Sequence, residues 1–210
     1  SDENPASSID FKAGRKRAGA ARLQEQLKSK IDFSTTALST QYDGGKQFWI
    51  LADEGGKTVE ADVYERHQQL RECVSQGAGS TITGFIGMPS TVGEMEGKGG
   101  AAYQKLCADS KYENRAISGQ TKTGLFTLYI SCLEGLEGFV GPYGESIIED
   151  PTPEQAKFIG KSYGARRHLE SKRQQFLDDN DTEGYNEEVR LQPMWYRECF
   201  RTAEIGRAHV

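Results

Sequence analysis

Four cysteines are the residues of this chain best suited to covalent chemistry, and they stand alone at Cys73, Cys107, Cys132 and Cys199. No two of them form the short Cys-x-x-Cys spacing that is typical of zinc sites and redox pairs. Lone thiols with aromatic, cationic and acidic neighbours suit separate points of covalent attachment for a large anionic group. The spacing therefore favours attachment over a shared metal.

Other chemistries fit these residues less well. A catalytic cysteine needs a histidine base close in space, and His67 stands six residues before Cys73, nearly two helical turns away. The acidic residues from Asp179 onward could begin a calcium-binding loop, but Arg190 falls where that loop requires a glutamate. A cysteine-dependent enzyme stays open as an alternative.

The composition indicates a thin hydrophobic core. Only 36% of the 210 residues are hydrophobic with tyrosine counted and glycine left out, and 24 are glycine. Counted with glycine and without tyrosine, the share stays below the usual value of about 45–50%. Such a chain is often completed by a partner's surface or by a bound cofactor. No stretch approaches the roughly 20 apolar residues that span a bilayer, so we expect no direct insertion into a membrane.

Charge is unevenly distributed around a net value of −5. Residues 12–30 carry seven lysines and arginines and a single acid, Glu25. This basic arm predicts docking on an acidic partner. It lacks the interleaved aromatic residues and the fold signatures of nucleic-acid-binding proteins, so we expect no nucleic-acid partner.

Helix signals are strongest in two places. A helix is predicted from Thr58, with Val63, Leu70 and Val74 on its buried stripe and Cys73 at the edge of that stripe, half reachable. A second, long helix is predicted over residues 152–177. Its start carries a capping box, with Thr152 at the N-cap, Pro153 at the first helical position and Gln155 at the third.

The remaining segments are assigned from local composition. Helix formers predict a helix over residues 15–30, and residues 47–51 read as a short aromatic strand. A short helix is predicted around residues 103–107, and residues 125–133 form a buried helix or strand. Glycine-rich residues 77–100 predict a long irregular loop. An acidic loop over 178–188 and an aromatic segment over 193–200 complete the prediction.

These elements predict a mainly α fold, an irregular helical linker with long glycine-rich loops that allows two loosely related halves. The predicted boundaries are a basic arm and helix at 1–33, a first half at 34–140 and a second half at 141–203. Residues 204–210 back-translate into a common sequencing-library adapter. We therefore expect those residues to be adapter-derived rather than part of the protein.

An open-chain tetrapyrrole, or bilin, matches what the lone thiols could carry. It needs one cysteine per thioether, its propionates pair with arginine or lysine, and its protonated nitrogens favour a nearby carboxylate. Aromatic side chains pack along its conjugated system. The candidate bilin-binding residues are the cysteines with their charged neighbours: Cys73, Cys107, Cys132, Cys199, Asp109, Arg71 and Arg197.

With these thiols, the basic arm and the glycine-rich loops, the chain resembles the gamma-type linker subunits of red-algal phycoerythrin. The resemblance implies a non-catalytic linker of the phycobilisome that fills the hole of phycobiliprotein alpha/beta hexamers within a large assembly. It implies phycourobilin or phycoerythrobilin, or both, as covalent pigments, and the stromal face of the chloroplast thylakoid as the location. The open alternative is an unpigmented scaffold that docks through the basic arm.

Overall fold

The computed structural model describes residues 8–11, 29–32, 45–57, 62–77, 81–91 and 98–202. The chain divides into two compact units, Ser1–Gln41 and Tyr42–Val210. In the first unit, strand β1 (Ser8–Phe11) pairs antiparallel with strand β2 (Ser29–Asp32). Most of the helix predicted over residues 15–30 lies outside the described residues, but its last two residues belong to β2 instead.

The described part of the second unit is rich in helix, which confirms the mainly α prediction. Its helices are α1 (Val63–Cys73), α2 (Lys98–Asp109), α3 (Pro153–Ile159), α4 (Ala165–Asp178) and α5 (Thr182–Leu191). Two small sheets accompany them: a parallel pair of β3 (Trp49–Leu51) with β6 (Phe85–Gly87), and an antiparallel pair of β4 (Ser75–Gln76) with β5 (Thr81–Ile82). Strand β3 confirms the predicted aromatic strand. The predicted loop at 77–100 contains β5, β6 and the start of α2.

Helix α1 begins at its own N-cap and buries its apolar stripe. The carboxylate of Asp62 accepts hydrogen bonds from the backbone N–H groups of Tyr64 and Glu65. The helix therefore starts later than predicted from Thr58, which lies outside the described residues. Val63, Leu70 and Val74 are buried as predicted, but Cys73 is only 3% exposed instead of half reachable.

The long helix predicted over 152–177 is two helices, α3 and α4. The capping box at Thr152 is formed as predicted. Gly160 then ends α3 in the left-handed region, with φ of 68°, which glycine adopts without the steric penalty of a side chain. Helix α4 restarts at Ala165, whose N–H donates to the Ile147 carbonyl at 2.9 Å. Gly164 before it packs directly against the Glu149 carbonyl.

Two further predictions, one in each half, are wrong. The acidic segment predicted as a loop over 178–188 forms most of α5, because Asp181 caps it by accepting from the Gly184 N–H at 2.8 Å. Residues 125–133 are neither helix nor strand. They run as an irregular segment held by Thr127 and Tyr129, and they expose alternate large side chains.

Two hydrophobic clusters position the site. One packs Leu133, Phe139 and Met194 against Ala165 and Leu169 of α4. The other packs Leu70 of α1 and Val74, which follows the helix, against Ile86 of β6. The first cluster fastens the C-terminal segment to the 125–133 segment, and the second supports the buried face of α1.

The capping box of α3 makes a stability prediction. Thr152→Ala will lower the free energy of unfolding by about 1 kcal/mol, because Thr152 Oγ1 accepts from the Gln155 N–H at 3.3 Å while Gln155 Oε1 accepts from the Thr152 N–H at 3.0 Å. Thr152→Ser keeps the hydroxyl and should change stability by only about a few tenths of a kcal/mol. Urea denaturation of both variants measures the difference. Equal losses would show that the hydroxyl is not the stabilising group.

Candidate functional site

Three of the four cysteines are carried to one place by three separate segments. Cys107 lies on α2, Cys132 lies in the 125–133 segment, and Cys199 follows the 3₁₀ turn Tyr196–Glu198. The backbone ties these segments together, since the Cys132 N–H donates to the Pro193 carbonyl at 3.1 Å. We call Cys107, Cys132 and Cys199 the thiol cluster.

A group of aromatic rings lies among these thiols. The rings of Tyr129 and Tyr196 meet edge to face with centroids 5.8 Å apart, and Phe200 follows 5.6 Å beyond Tyr196. The Tyr129 hydroxyl donates to the Pro193 carbonyl at 2.7 Å. Lys111 Nζ lies 5.6 Å from the centre of the Tyr196 ring. The thiol cluster therefore adjoins aromatic rings and the cations of Lys111 and Arg173.

All three thiols are held in the protonated form. Burial, with the neighbouring Cys199 thiol, raises the pKa of Cys107 to about 11. Burial also raises the pKa of Cys132 and of Cys199 to about 11. Thiolates are the reactive species in cysteine chemistry, so these thiols are poor nucleophiles at neutral pH.

Cys73 lies apart from the thiol cluster. Its sulfur is buried at the end of α1 and approaches the Gln69 carbonyl at 3.8 Å. The two Arg-Glu-Cys tripeptides also differ in structure. The first ends an α-helix, and the second lies in a 3₁₀ turn where Arg197 is exposed while Glu198 points inward to Arg173.

Arg71 lines a groove beside α1. Asp109, which is distant from Arg71 in the sequence, bonds two other residues of the same lining, Tyr64 and Lys122. The groove has a volume of about 620 Å³, and the residues that define it here are Lys46, Tyr64, His67, Arg71, Ser75 and Lys122. We call it the α1 groove. Asp109 accepts from Tyr64 Oη at 2.7 Å and from Lys122 Nζ at 2.8 Å, and these bonds lower the pKa of its carboxyl. None of the four thiols lines the groove.

Sequence reasoning did not place His67 in this groove and considered it mainly as a neighbour of Cys73, as a base or beside a pigment. His67 is 2% exposed on the inner stripe of α1. Burial, followed by the charge of Arg71, lowers its pKa to about 4. One signal in the sequence was available, because His67 falls four residues after Val63 and three before Leu70, on the stripe already assigned to the core.

No protein-family model, curated protein or solved structure matches this chain. Within the described ranges, no helix has the length and apolar character needed to cross a bilayer. Those same ranges contain no group of three or more histidine, cysteine, aspartate or glutamate side chains placed to hold a metal ion. Residues 12–28 of the basic arm predicted over 12–30 lie outside the described residues.

Proposed function

We propose that this chain is a non-catalytic light-harvesting linker, which carries thioether-linked bilins and docks inside a phycobiliprotein hexamer. The observation that carries the proposal is the thiol cluster, in which three cysteines from distant segments adjoin the Tyr129–Tyr196 ring pair. Bilin pigments attach through single cysteines and pack against aromatic rings, and the thiol cluster provides both groups side by side. The expected setting is the stromal face of the thylakoid.

The exposed fraction of each cysteine favours two of the four as sites of pigment attachment. Cys107 and Cys132 are half-buried, so one side of each residue reaches the surface. Cys73 and Cys199 are 3% and 9% exposed, and a bilin would reach either sulfur only after local opening of the structure. We therefore assign pigments to Cys107 and Cys132. Lys111, beside the Tyr196 ring, would pair with a propionate of the pigment at Cys107.

The raised thiol pKa values bear on how pigments would be attached. A thiol with a pKa of about 11 adds slowly to a bilin at neutral pH, because little thiolate is present. Attachment would then rely on a separate enzyme that deprotonates the sulfur. The same values weigh against the alternative of a cysteine-dependent enzyme, which needs an activated thiolate.

Exposed apolar side chains support the docking part of the proposal. Phe126, Leu128 and Ile130 alternate along one segment and are 53%, 83% and 68% exposed. The residues between them are anchored inward, since Thr127 Oγ1 donates to the Cys107 carbonyl at 2.7 Å and the Tyr129 hydroxyl is also bonded. We propose that this row packs against the hexamer lining, because contiguous exposed apolar groups usually mark interaction surfaces.

The same exposed row also fits the second candidate, an unpigmented scaffold, so the pigment itself must be tested. The native chain should keep a visible absorption band after unfolding in acidic urea, because unfolding removes the tuning by the protein but leaves thioethers intact. Peptide mapping should place the pigment mass on Cys107 and Cys132. Cys107→Ala and Cys132→Ala should each lose one pigment, whereas the matched Cys73→Ala control should lose none.

A colourless polypeptide with four thiols that react with an alkylating reagent after unfolding would reject the pigmented linker. The scaffold would then be the better description, and its binding to a partner would depend on the exposed row. Pigment found only on Cys73 would keep the linker function but overturn the assignment by exposure.

A further inference from the structure

The α1 groove contains a buried side chain whose polar atoms have no partner. Within the described parts of the chain, neither ring nitrogen of His67 makes a hydrogen bond, although the residue is only 2% exposed. Buried polar groups are nearly always satisfied in native structures. His67 lines the groove, so a polar ligand that enters the groove with a local opening of the wall around the ring is the partner that would satisfy these nitrogens.

Arg71 stands one helical turn after His67 and lines the same groove. It is half-buried, and no carboxylate of the described residues lies within ion-pair distance of it. Its guanidinium lies against Gly124, where a Cβ would be 3.6 Å from Nε. Gly124 has a φ of +80°, so glycine is favoured there and the space beside the guanidinium stays open. This leaves a guanidinium free to bind an anion.

The other charges of the groove leave it net positive. Lys46 Nζ donates to the carbonyls of Glu72 and Ser75 at 2.9 and 2.6 Å, which uses its hydrogens but does not neutralise its charge. Lys122 is neutralised by Asp109 at 2.8 Å. The remaining acid, Glu72, is exposed at the rim. The excess of one positive charge favours an anionic ligand.

We propose that the α1 groove binds the phosphate monoester of a hydroxyl-rich small molecule, such as a sugar phosphate, with Arg71 holding the phosphate and His67 bonding a ligand hydroxyl. The planar fork of arginine matches the oxygens of a phosphate. A neutral imidazole offers one donor and one acceptor, and so it pairs naturally with a hydroxyl.

The size and lining of the groove favour a ligand larger than an inorganic ion. A volume of about 620 Å³ lies within the range of roughly 300–1,000 Å³ found for small-molecule sites. Gln68 and Gln76 add side-chain amides to the wall, and the Ser75 hydroxyl lies beside them. Amides and hydroxyls of this kind bind the hydroxyls of a sugar. The proposal is independent of the pigments, since no thiol lines the groove.

Titration calorimetry of the full chain tests the proposal with glucose 6-phosphate, glucose and inorganic phosphate as probes. We expect saturable binding of glucose 6-phosphate with a Kd below about 1 mM, and weaker binding of glucose and of inorganic phosphate.

Arg71→Gln should weaken binding of glucose 6-phosphate about tenfold or more, because a charge-assisted bidentate contact is lost. Arg71→Lys keeps the charge but not the planar fork, so its affinity for glucose 6-phosphate should lie between those of the parent and of Arg71→Gln. Arg167→Gln, an exposed arginine on α4, is the matched control and should bind like the parent.

The His67 ring protons provide a second readout by NMR that does not depend on the folding of any variant. Their resonances should shift on addition of glucose 6-phosphate and stay in place with glucose. The proposal is overturned if the parent chain binds none of the probes, or if Arg71→Gln and Arg167→Gln bind equally well. Inorganic phosphate binding as tightly as the sugar phosphate would overturn the choice of a hydroxyl-rich ligand.

Discussion

Replacing Arg173 with methionine will lower the free energy of unfolding by about 3–5 kcal/mol. Arg173 is 6% exposed. It donates to both carboxylate oxygens of Glu198 at 3.3 and 3.2 Å, and to the Gln192 carbonyl at 2.7 Å. Glu198 also accepts the backbone N–H groups of Met194 and Trp195. Without the arginine, a largely buried carboxylate loses its counter-charge and its desolvation is no longer offset.

A surface ion pair whose arginine also lies on α4 provides the control. Arg166 donates to Glu149 at 2.7 Å, but their side chains are 29% and 71% exposed. Arg166→Met should therefore cost only about 0–1 kcal/mol. Adding Glu198→Gln to Arg173→Met removes the stranded charge, so the double variant should be more stable than Arg173→Met alone. Guanidinium denaturation measures all three, and similar losses for the two arginine variants would contradict the argument.

The Arg173→Met substitution should also affect the thiol cluster. Glu198 immediately precedes Cys199, and its carboxylate holds the start of the 3₁₀ turn through the Met194 and Trp195 amides. We expect the Cys199 thiol to react faster with an alkylating reagent in Arg173→Met than in Arg166→Met. The ion pair thus serves to position the turn as well as to stabilise the fold.

Lowering the pH from about 7 to 4 will remove about 3 kcal/mol of stability through His67 alone. Burial and Arg71 lower the pKa of His67 from 6.5 to about 4 in the folded chain. Below pH 6.5 His67 is protonated in the unfolded chain, whereas in the folded chain it stays neutral until about pH 4. The unfolded state therefore binds more protons in this window, and stability falls as the pH falls.

His67→Gln isolates this effect, because glutamine does not titrate. Unfolding free energies of the parent and the variant, measured at intervals between pH 7.5 and 4 in phosphate-free buffer, should converge by about 3 kcal/mol towards the acid end. The carboxyls of Asp109 and Glu145 have lowered pKa values, so their protonation also destabilises the folded chain on acidification. This contribution is the same in the parent and in the variant. Parallel pH profiles would contradict a buried neutral His67.

Local signals in the sequence predicted much of the helical framework. The capping box at Thr152 and the stripe of Val63, Leu70 and Val74 are encoded by neighbouring residues, so they could be recognised without a structure. The break between α3 and α4 was also encoded locally, at Gly160 and Gly164, but continuous helix formers around those glycines outweighed it. Helix α5 was missed because its acidic composition suggested a loop.

The candidate sites depended on contacts that no local pattern records. The lone cysteines were visible in the sequence, but their division into a thiol cluster and a separate Cys73 follows from how the C-terminal segment crosses residues 127–132. The α1 groove likewise brings Arg71 into the same lining as Lys122, which is distant from it in the sequence.

The sequence by itself determined the helix-rich character, the cap and stripe of individual helices, the short aromatic strand and the presence of four lone thiols. These features depend on interactions within a few residues, such as N-cap hydrogen bonds and the 3.6-residue period. The tertiary structure alone decided which thiols are buried, that His67 lacks a polar partner among the described residues, and that Arg173 is bound to Glu198. Burial and charge pairing are set by segments distant in sequence, because desolvation depends on everything packed around a group and not on its neighbours along the chain.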